Sequence, residues 1–146
     1  MINQYQSLVH QNIPLTEYME WSIQKLSSSD IATLTQLTPN INVHGTAFAG
    51  SIYAAAMATG WTLLKCWNDH AKYETELVAA EADIKYFRPV ISDFECTAQL
   101  DDTHESYSKL VNRLNEKRSC AIKLPVEVIC NSELCAILKI TFVFKC

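Results

Sequence analysis

The sequence has no excess of basic residues: 12 Lys and Arg stand against 16 Asp and Glu, a net charge of −4 over 146 residues. That balance excludes the broad electrostatic footprint of a nucleic-acid binder or of a protein held on an anionic membrane, so any basic patch must be local. The opening residues, Met1 to Gln6, carry neither a basic nor an apolar region of the secretory kind, so no export signal and a cytoplasmic location are expected. No CxxC pair occurs among the six cysteines (Cys66, Cys96, Cys120, Cys130, Cys135, Cys146), which argues against a structural zinc or thioredoxin-like site. Free thiols in a reducing compartment are the expectation. The four histidines show no metal-ligand spacing, so no metal is expected. Repeats, low-complexity tracts and Pro/Gly/Ser-rich linkers are absent, and the chain reads as a single domain, 1–146, with 1–29 as a helical lead-in.

What is present is core-forming sequence: 49% of residues are apolar and 19% charged, too apolar for a disordered chain. From Ile41 to Leu64 there is no Asp, Glu, Lys or Arg. The stretch is long enough to span a bilayer core of ~30 Å, but Asn42, His44, three glycines and three threonines dilute it. It reads instead as a helix, Thr46 to Trp67, buried inside a globular domain. Before it, Leu15, Met19, Ile23 and Leu26 recur at helical spacing, and Ile31 to Leu37 alternates as a strand. After it the period changes to two. Val78 to Tyr86, Phe94 to Leu100, Cys120 to Val128 and Leu134 to Phe144 each alternate apolar with polar residues, and Asn131-Ser132-Glu133 turns the last pair. A second amphipathic helix, with Tyr107, Leu110, Val111 and Leu114 on its apolar side, separates the middle strands. One long apolar helix needs a curved antiparallel sheet to wrap it, so the expected class is α+β with the hot-dog architecture.

The run Asn40-Ile41-Asn42-Val43-His44-Gly45-Thr46-Ala47-Phe48-Ala49-Gly50-Ser51, with Gly60-Trp61 after it, resembles the hot-dog putative thioesterase family. It is most similar to the YiiD C-terminal-like domain found at the end of some bacterial acetyltransferases. Ile13-Pro14-Leu15-Thr16 and Ala82-Asp83-Ile84-Lys85-Tyr86-Phe87-Arg88-Pro89-Val90 extend the likeness over nearly the whole chain. The resemblance implies hydrolysis of an acyl thioester of coenzyme A or acyl carrier protein by a homodimer or homotetramer, with the site between protomers. It implies no cofactor beyond the coenzyme A or phosphopantetheine of the substrate.

Thioester hydrolysis needs donors for the carbonyl oxygen and a group that activates water. Gly45 and Thr46, at the expected helix start, are candidates for the first task, because a helix N-terminus presents free N–H groups and a positive dipole end. Asn42 and His44 lie just outside, either turned to the same point or serving only as loop cap and hydrogen-bonded side chain. Many members of the resembled family carry an acid about two turns into the central helix. Here Ser51, Ile52, Tyr53 and Ala54 occupy that stretch, and no carboxylate comes before Asp69. Asp83, on the following strand, is the substitute candidate, either lining the site or belonging to an exposed charge ladder with Glu81 and Lys85. Ser51 and Tyr53 could bond a water or the acyl group. Lys109, Arg113 and Lys117 share a helix face and, with Arg88, could meet coenzyme A phosphates or an acidic carrier protein; Glu105, four residues before Lys109, would equally make that face an ordinary salt-bridged one. A non-catalytic acyl-thioester binding module is the alternative, favoured by the missing helix acid, and a dehydratase or hydratase is a third reading that the same absence disfavours.

Overall fold

The computed structural model describes residues 1–146. In chain order the elements are α1 (Ile2–Asn12), α2 (Pro14–Tyr18), β1 (Trp21–Leu26), β2 (Asp30–Thr35), a 3-10 turn (Thr38–Asn40), α3 (Ala49–Ala71), β3 (Glu76–Tyr86), β4 (Phe94–Gln99), α4 (Glu105–Asn115), β5 (Cys120–Cys130) and β6 (Glu133–Lys145). The six strands form one antiparallel sheet in the order β1-β2-β4-β5-β6-β3, and α3 packs across its inner face. This is the hot-dog arrangement. No helix is long and apolar enough to cross a membrane.

Alternation explains the register. In β5, Cys120, Ile122, Leu124, Val126, Val128 and Cys130 face inward, and in β6, Ala136, Leu138, Ile140, Phe142 and Phe144 do the same. Asn131 and Ser132 join the two strands with φ of 50° and 64°, the mirror-image turn that suits the twist of a hairpin. Pro125 sits mid-strand without cost, because β4 pairs with β5 only through Thr97 and Glu127 and has left before Pro125 would need an N–H. Helix α3 lies so close to the sheet that a Cβ on Gly60 would stand 3.1 Å from Ile140 Cδ1 and 3.2 Å from Val126 Cγ2.

Three expectations are corrected. The helical spacing read across Leu15 to Leu26 resolves into a short helix ending at Tyr18, a left-handed turn at Glu20 (φ 57°) and the strand β1. A bulge between Ile23 and Lys25 resets the alternation, so the buried Ile23 and Leu26 stand three apart instead of two, which continues the four-residue spacing of Leu15, Met19 and Ile23 and imitates a helix. A further helix, α1, precedes these elements. Finally, α3 begins at Ala49 rather than Thr46, because Asn42 to Thr46 form a tight turn of their own.

The two sheet edges differ. Along β1, Gln6 of α1 accepts from the Ile23 N–H at 2.8 Å and His10 lies 3.0 Å from the Trp21 carbonyl, so side chains of α1 occupy that edge. Tyr5 anchors the same helix to α3 by donating to Asp69 at 2.7 Å, and Lys65 holds that carboxylate from the other side. Burial first, and the Asp69 contact second, push the Tyr5 hydroxyl above its ordinary range. Along β3 no further strand pairs on the outside, and none of its residues is buried.

A small polar network crosses the core. Trp21 Nε1 donates to Thr59 Oγ1 at 3.2 Å, Thr59 donates to the Ala55 carbonyl at 2.8 Å, and Thr33 Oγ1 is 2.7 Å from Thr59 Oγ1. Thr35, two residues along β2, is fully buried with no partner for its hydroxyl. The expected outcome of Thr59→Val is a loss of about 2 kcal/mol, since the indole N–H is left unpaired, whereas Thr35→Val should be neutral or stabilising by about 1 kcal/mol. Urea unfolding of the two variants checks this; equal losses would contradict it.

Candidate active site

The loop before α3 is built by Asn42. Its backbone N–H donates to the Thr46 carbonyl at 2.7 Å, and Ile41 bridges Ala47. Its side-chain Oδ1 accepts from the N–H groups of His44 and Thr46 at 2.9 and 3.2 Å, while Nδ2 donates to Thr46 Oγ1 at 2.9 Å. Gly45, at φ 77°, supplies the left-handed residue that lets the chain reverse. The loop is then stitched to its neighbours, with Ala47 N–H donating to the Val90 carbonyl and Phe48 N–H to the Asn40 carbonyl. Asn42 therefore caps the turn, not the helix.

Helix α3 opens after Phe48 with no side-chain cap. The first helical bonds run from Ser51 and Ile52 back to the Phe48 carbonyl, so the N–H groups of Ala49 and Gly50 have no partner in the protein, and both residues are exposed. These two donors, rather than Gly45 and Thr46, are the free end of the helix dipole.

A cleft of about 380 Å³ lies beside this end, lined by Asn42, Thr46, Ala47, Ala49, Ile52 and the run Tyr86 to Val90. A bulge in β6 at Cys135 positions its far wall: the Cys135 carbonyl accepts from the N–H groups of both Phe87 and Arg88, which ends β3 and turns the chain across the mouth. Tyr86 then donates its hydroxyl to the Ala49 carbonyl at 2.8 Å, tying β3 to the first turn of α3. Burial, and to a lesser extent the neighbouring Tyr53, raise the Tyr86 hydroxyl above its ordinary range, so it stays protonated. Arg88 meets Glu133 at 2.8 Å, but both side chains are about half exposed or more. An exposed pair of this kind contributes about 0–1 kcal/mol, so Arg88 can be recruited by an incoming anion.

The sequence candidates divide on this geometry. Asn42, Thr46 and Arg88 meet in the cleft, with Gly45 in the turn beside it and His44 exposed at the loop tip, its ring without a partner. Tyr53 stands beside Tyr86, and Ser51 faces the other side of the helix. Asp83 does not reach the cleft: it pairs in register with Lys139 on the sheet face away from α3, since its neighbours Ala82 and Ile84 pair with the inward residues Ile140 and Leu138. Lys109 and Arg113 lie on α4, which meets α3 at Trp67, whose Nε1 donates to Tyr107 at 3.2 Å. Lys117 does not share their helix face as expected, because α4 ends at Asn115 and Lys117 follows it in a left-handed turn (φ 57°). Trp67 is nineteen residues beyond Phe48, about 28 Å along the helix, so the α4 cations belong to the other end of the same chain. Glu105 and Lys109 form no ion pair, and Arg113 donates to the Ser119 carbonyl instead. Sequence reasoning gave no role to Tyr86 or Phe87, although both stand where an alternating strand runs into Arg88-Pro89, a point at which a strand must end and expose its last side chains.

None of the six cysteines lines the cleft. Five are buried and only Cys146 is exposed. Burial pushes the Cys96 thiol up to about 12, against the pull of the Thr59 and Thr33 hydroxyls beside it. One thiol equivalent, from Cys146, should react rapidly with an aromatic disulfide reagent in the native protein, and Cys146→Ser should remove it; a second fast thiol would show the core around Cys130 and Cys135 to be open.

The comparisons with known proteins agree with the fold. A family model described as "Putative thioesterase (yiiD_Cterm)" matches residues 2–146. The crystal structure of a putative thioesterase from Shewanella oneidensis is 30% identical, with a TM-score of 0.87, covering 99% of this chain and 97% of that one. A protein of unknown function from Chlorobaculum tepidum superposes with a TM-score of 0.89 at 19% identity, over 99% of this chain and 94% of that one. A Haemophilus influenzae thioesterase does so at 0.77 and 12% identity, over 99% and 90%. The last two likenesses are of fold alone.

Proposed function

Because this chain belongs to the YiiD C-terminal family of putative thioesterases, we propose that it hydrolyses an acyl thioester of coenzyme A or acyl carrier protein at the start of α3. The observation that carries the reading is the pair of unpartnered N–H groups, Ala49 and Gly50, at the open end of a 23-residue helix and beside a cleft holding Arg88. Two fixed donors and a helix dipole stabilise the oxyanion that forms when water adds to the carbonyl carbon. A new C–O bond forms, the C–S bond breaks, and the electron pair leaves on sulfur as a thiolate, which needs little help from an acid. His44 lies outside the cleft wall, so its exposed, unpartnered ring must turn in from the tip of the Asn42 loop to take the proton that water releases. Tyr86 keeps the helix end and the cleft wall together. Arg88 exchanges Glu133 for a phosphate of the carrier.

A homodimer belongs to the same proposal. Strand β3 is an 11-residue edge without proline and with no strand on its outer side, its Leu77 carbonyl accepting from Trp61 Nε1 at 3.3 Å, and its inner face carries Ala82, Ile84 and Tyr86. Long uncovered edges of this kind call for a partner strand, and pairing two copies there would set the cleft next to the second protomer. The binding-module reading retains one observation in its favour: no Asp, Glu or His lines the cleft.

A panel of acyl-CoA and acyl-carrier-protein thioesters, followed by thiol release from a Cys146→Ser background, tests the proposal. Turnover by the parent protein and losses of at least ~10²-fold in kcat/KM for Asn42→Ala and His44→Ala are expected. Arg88→Ala should raise KM more than it lowers kcat. Binding of a non-hydrolysable thioether analogue with no turnover of any thioester would replace the hydrolase with the binding module.

A further inference from the structure

A thioester carbonyl held at a helix end has two arms of unlike chemistry, the polar carrier on sulfur and the acyl chain on carbon. Helix α3 offers a separate surface for each. At 3.6 residues per turn, Ala49 and Ile52 point to one side of the helix, and Gly50, Ser51 and Ala54 point roughly 180° away. The first pair lines the cleft with Asn42, Thr46 and Arg88. The second set lines a different groove, of about 310 Å³, whose other walls are Leu15 and Tyr18 of α2, Met19, Pro39 and Phe48.

This groove contains no charged side chain. Its one amide, Asn40, is buried and spends its Nδ2 on the carbonyls of Met19 and Gln36, so it does not offer that donor to a ligand. Phe48 forms the wall nearest the helix end and is 55% exposed. Its ring lies flat on the first turn because Gly50 has no side chain: a Cβ there would stand 2.5 Å from Phe48 Cε2. Leu15 and Tyr18 are 53% and 78% exposed, large apolar side chains held out over the groove by a helix that does not bury them. The Arg88 side suits an anionic carrier, and the uncharged side suits an alkyl chain.

We propose that the groove between α2 and the first two turns of α3 is the acyl subsite, taking the alkyl chain of the thioester. The proposal rests on the reading of the α3 start as the carbonyl site. Leu15, Met19, Phe48 and Ala54 would make the chain contacts, with Ala54 setting the depth and Phe48 the entrance.

The test uses the full-length chain and two substitutions, Ala54→Phe, which fills the groove, and Leu15→Arg, which places a charge over it from an exposed position and leaves the core alone. Wild type is expected to favour decanoyl-CoA over acetyl-CoA in kcat/KM, and both variants should cut that ratio at least tenfold. In parallel, titration calorimetry with S-decyl-CoA and S-ethyl-CoA thioethers reads the groove without turnover, with the decyl compound binding at least tenfold tighter to wild type and losing that advantage in the variants. Turnover with a chain-length ratio that neither variant changes would overturn the subsite and leave the hydrolase standing. A decyl advantage lost in Leu15→Arg, with no thioester hydrolysed, would uphold the subsite and sink the hydrolase. If Ala54→Phe does not fold, the Leu15→Arg ratio alone decides.

Discussion

The close approach of α3 to the sheet governs the rest of the molecule. A 23-residue helix without a charged side chain before Lys65 can be buried only if something curves around it, and it can be gripped closely only if its own side chains are small. Ala55, Ala56, Ala58 and Gly60 meet that condition, and at Gly60 the sheet side chains come within 3.1–3.3 Å of where a Cβ would be. A larger residue there would force either the helix away from β5 and β6 or their side chains out of their rotamers. The network of Thr59, Thr33 and Trp21 adds direction to this non-directional contact, since hydrogen bonds inside a dry core hold the helix in one rotation about its axis.

That fixed rotation has a functional consequence. It decides which residues of the first turn face the Arg88 cleft and which face the groove under α2. It also leaves the helix N-terminus uncapped at the open end of the sheet, where Phe48, an apolar residue in the cap position, satisfies none of the free N–H groups. A Ser or Asp at that position would close the site by capping it. The Asn42 turn, the β6 bulge at Cys135 and the Tyr86 hydroxyl then bring three separate segments of the chain to the same end.

Much of the fold was legible in the residues themselves. The period-two alternation of β4, β5 and most of β6, the uncharged helix and the amphipathic α4 all follow from local pattern, because each of these elements buries one face against a single continuous core. The first strand was not legible: its bulge sets Ile23 and Leu26 three apart, in line with Leu15 and Met19 before them, and a bulge is specified by the partner strand rather than by the residues that carry it. The candidate site was legible in part. Asn42 and His44 were legible as a loop before the helix, yet Gly45 and Thr46, expected at the helix start, belong to that loop too, and the free donors come from Ala49 and Gly50, whose side chains carry no signal at all.

Sequence alone thus determined the class of the fold, the inward faces of β4 and β5, the burial of the central helix and the family to which the chain belongs, since these depend on short-range periodicity and on residues adjacent in the chain. In β3 a bulge after Ala79 turns Leu77 and Ala79 inward in place of Val78 and Ala80, and in β6 the bulge at Cys135 leaves Leu134 exposed. Tertiary structure alone decided that Asp83 faces away from α3, that the α4 cations stand at the far end of that helix, and that Tyr86 and Arg88 join Asn42. Those outcomes depend on strand order and on which side of a sheet a residue meets its neighbour. A one-residue change in register would reverse them without altering the amino-acid pattern by which the strands are recognised.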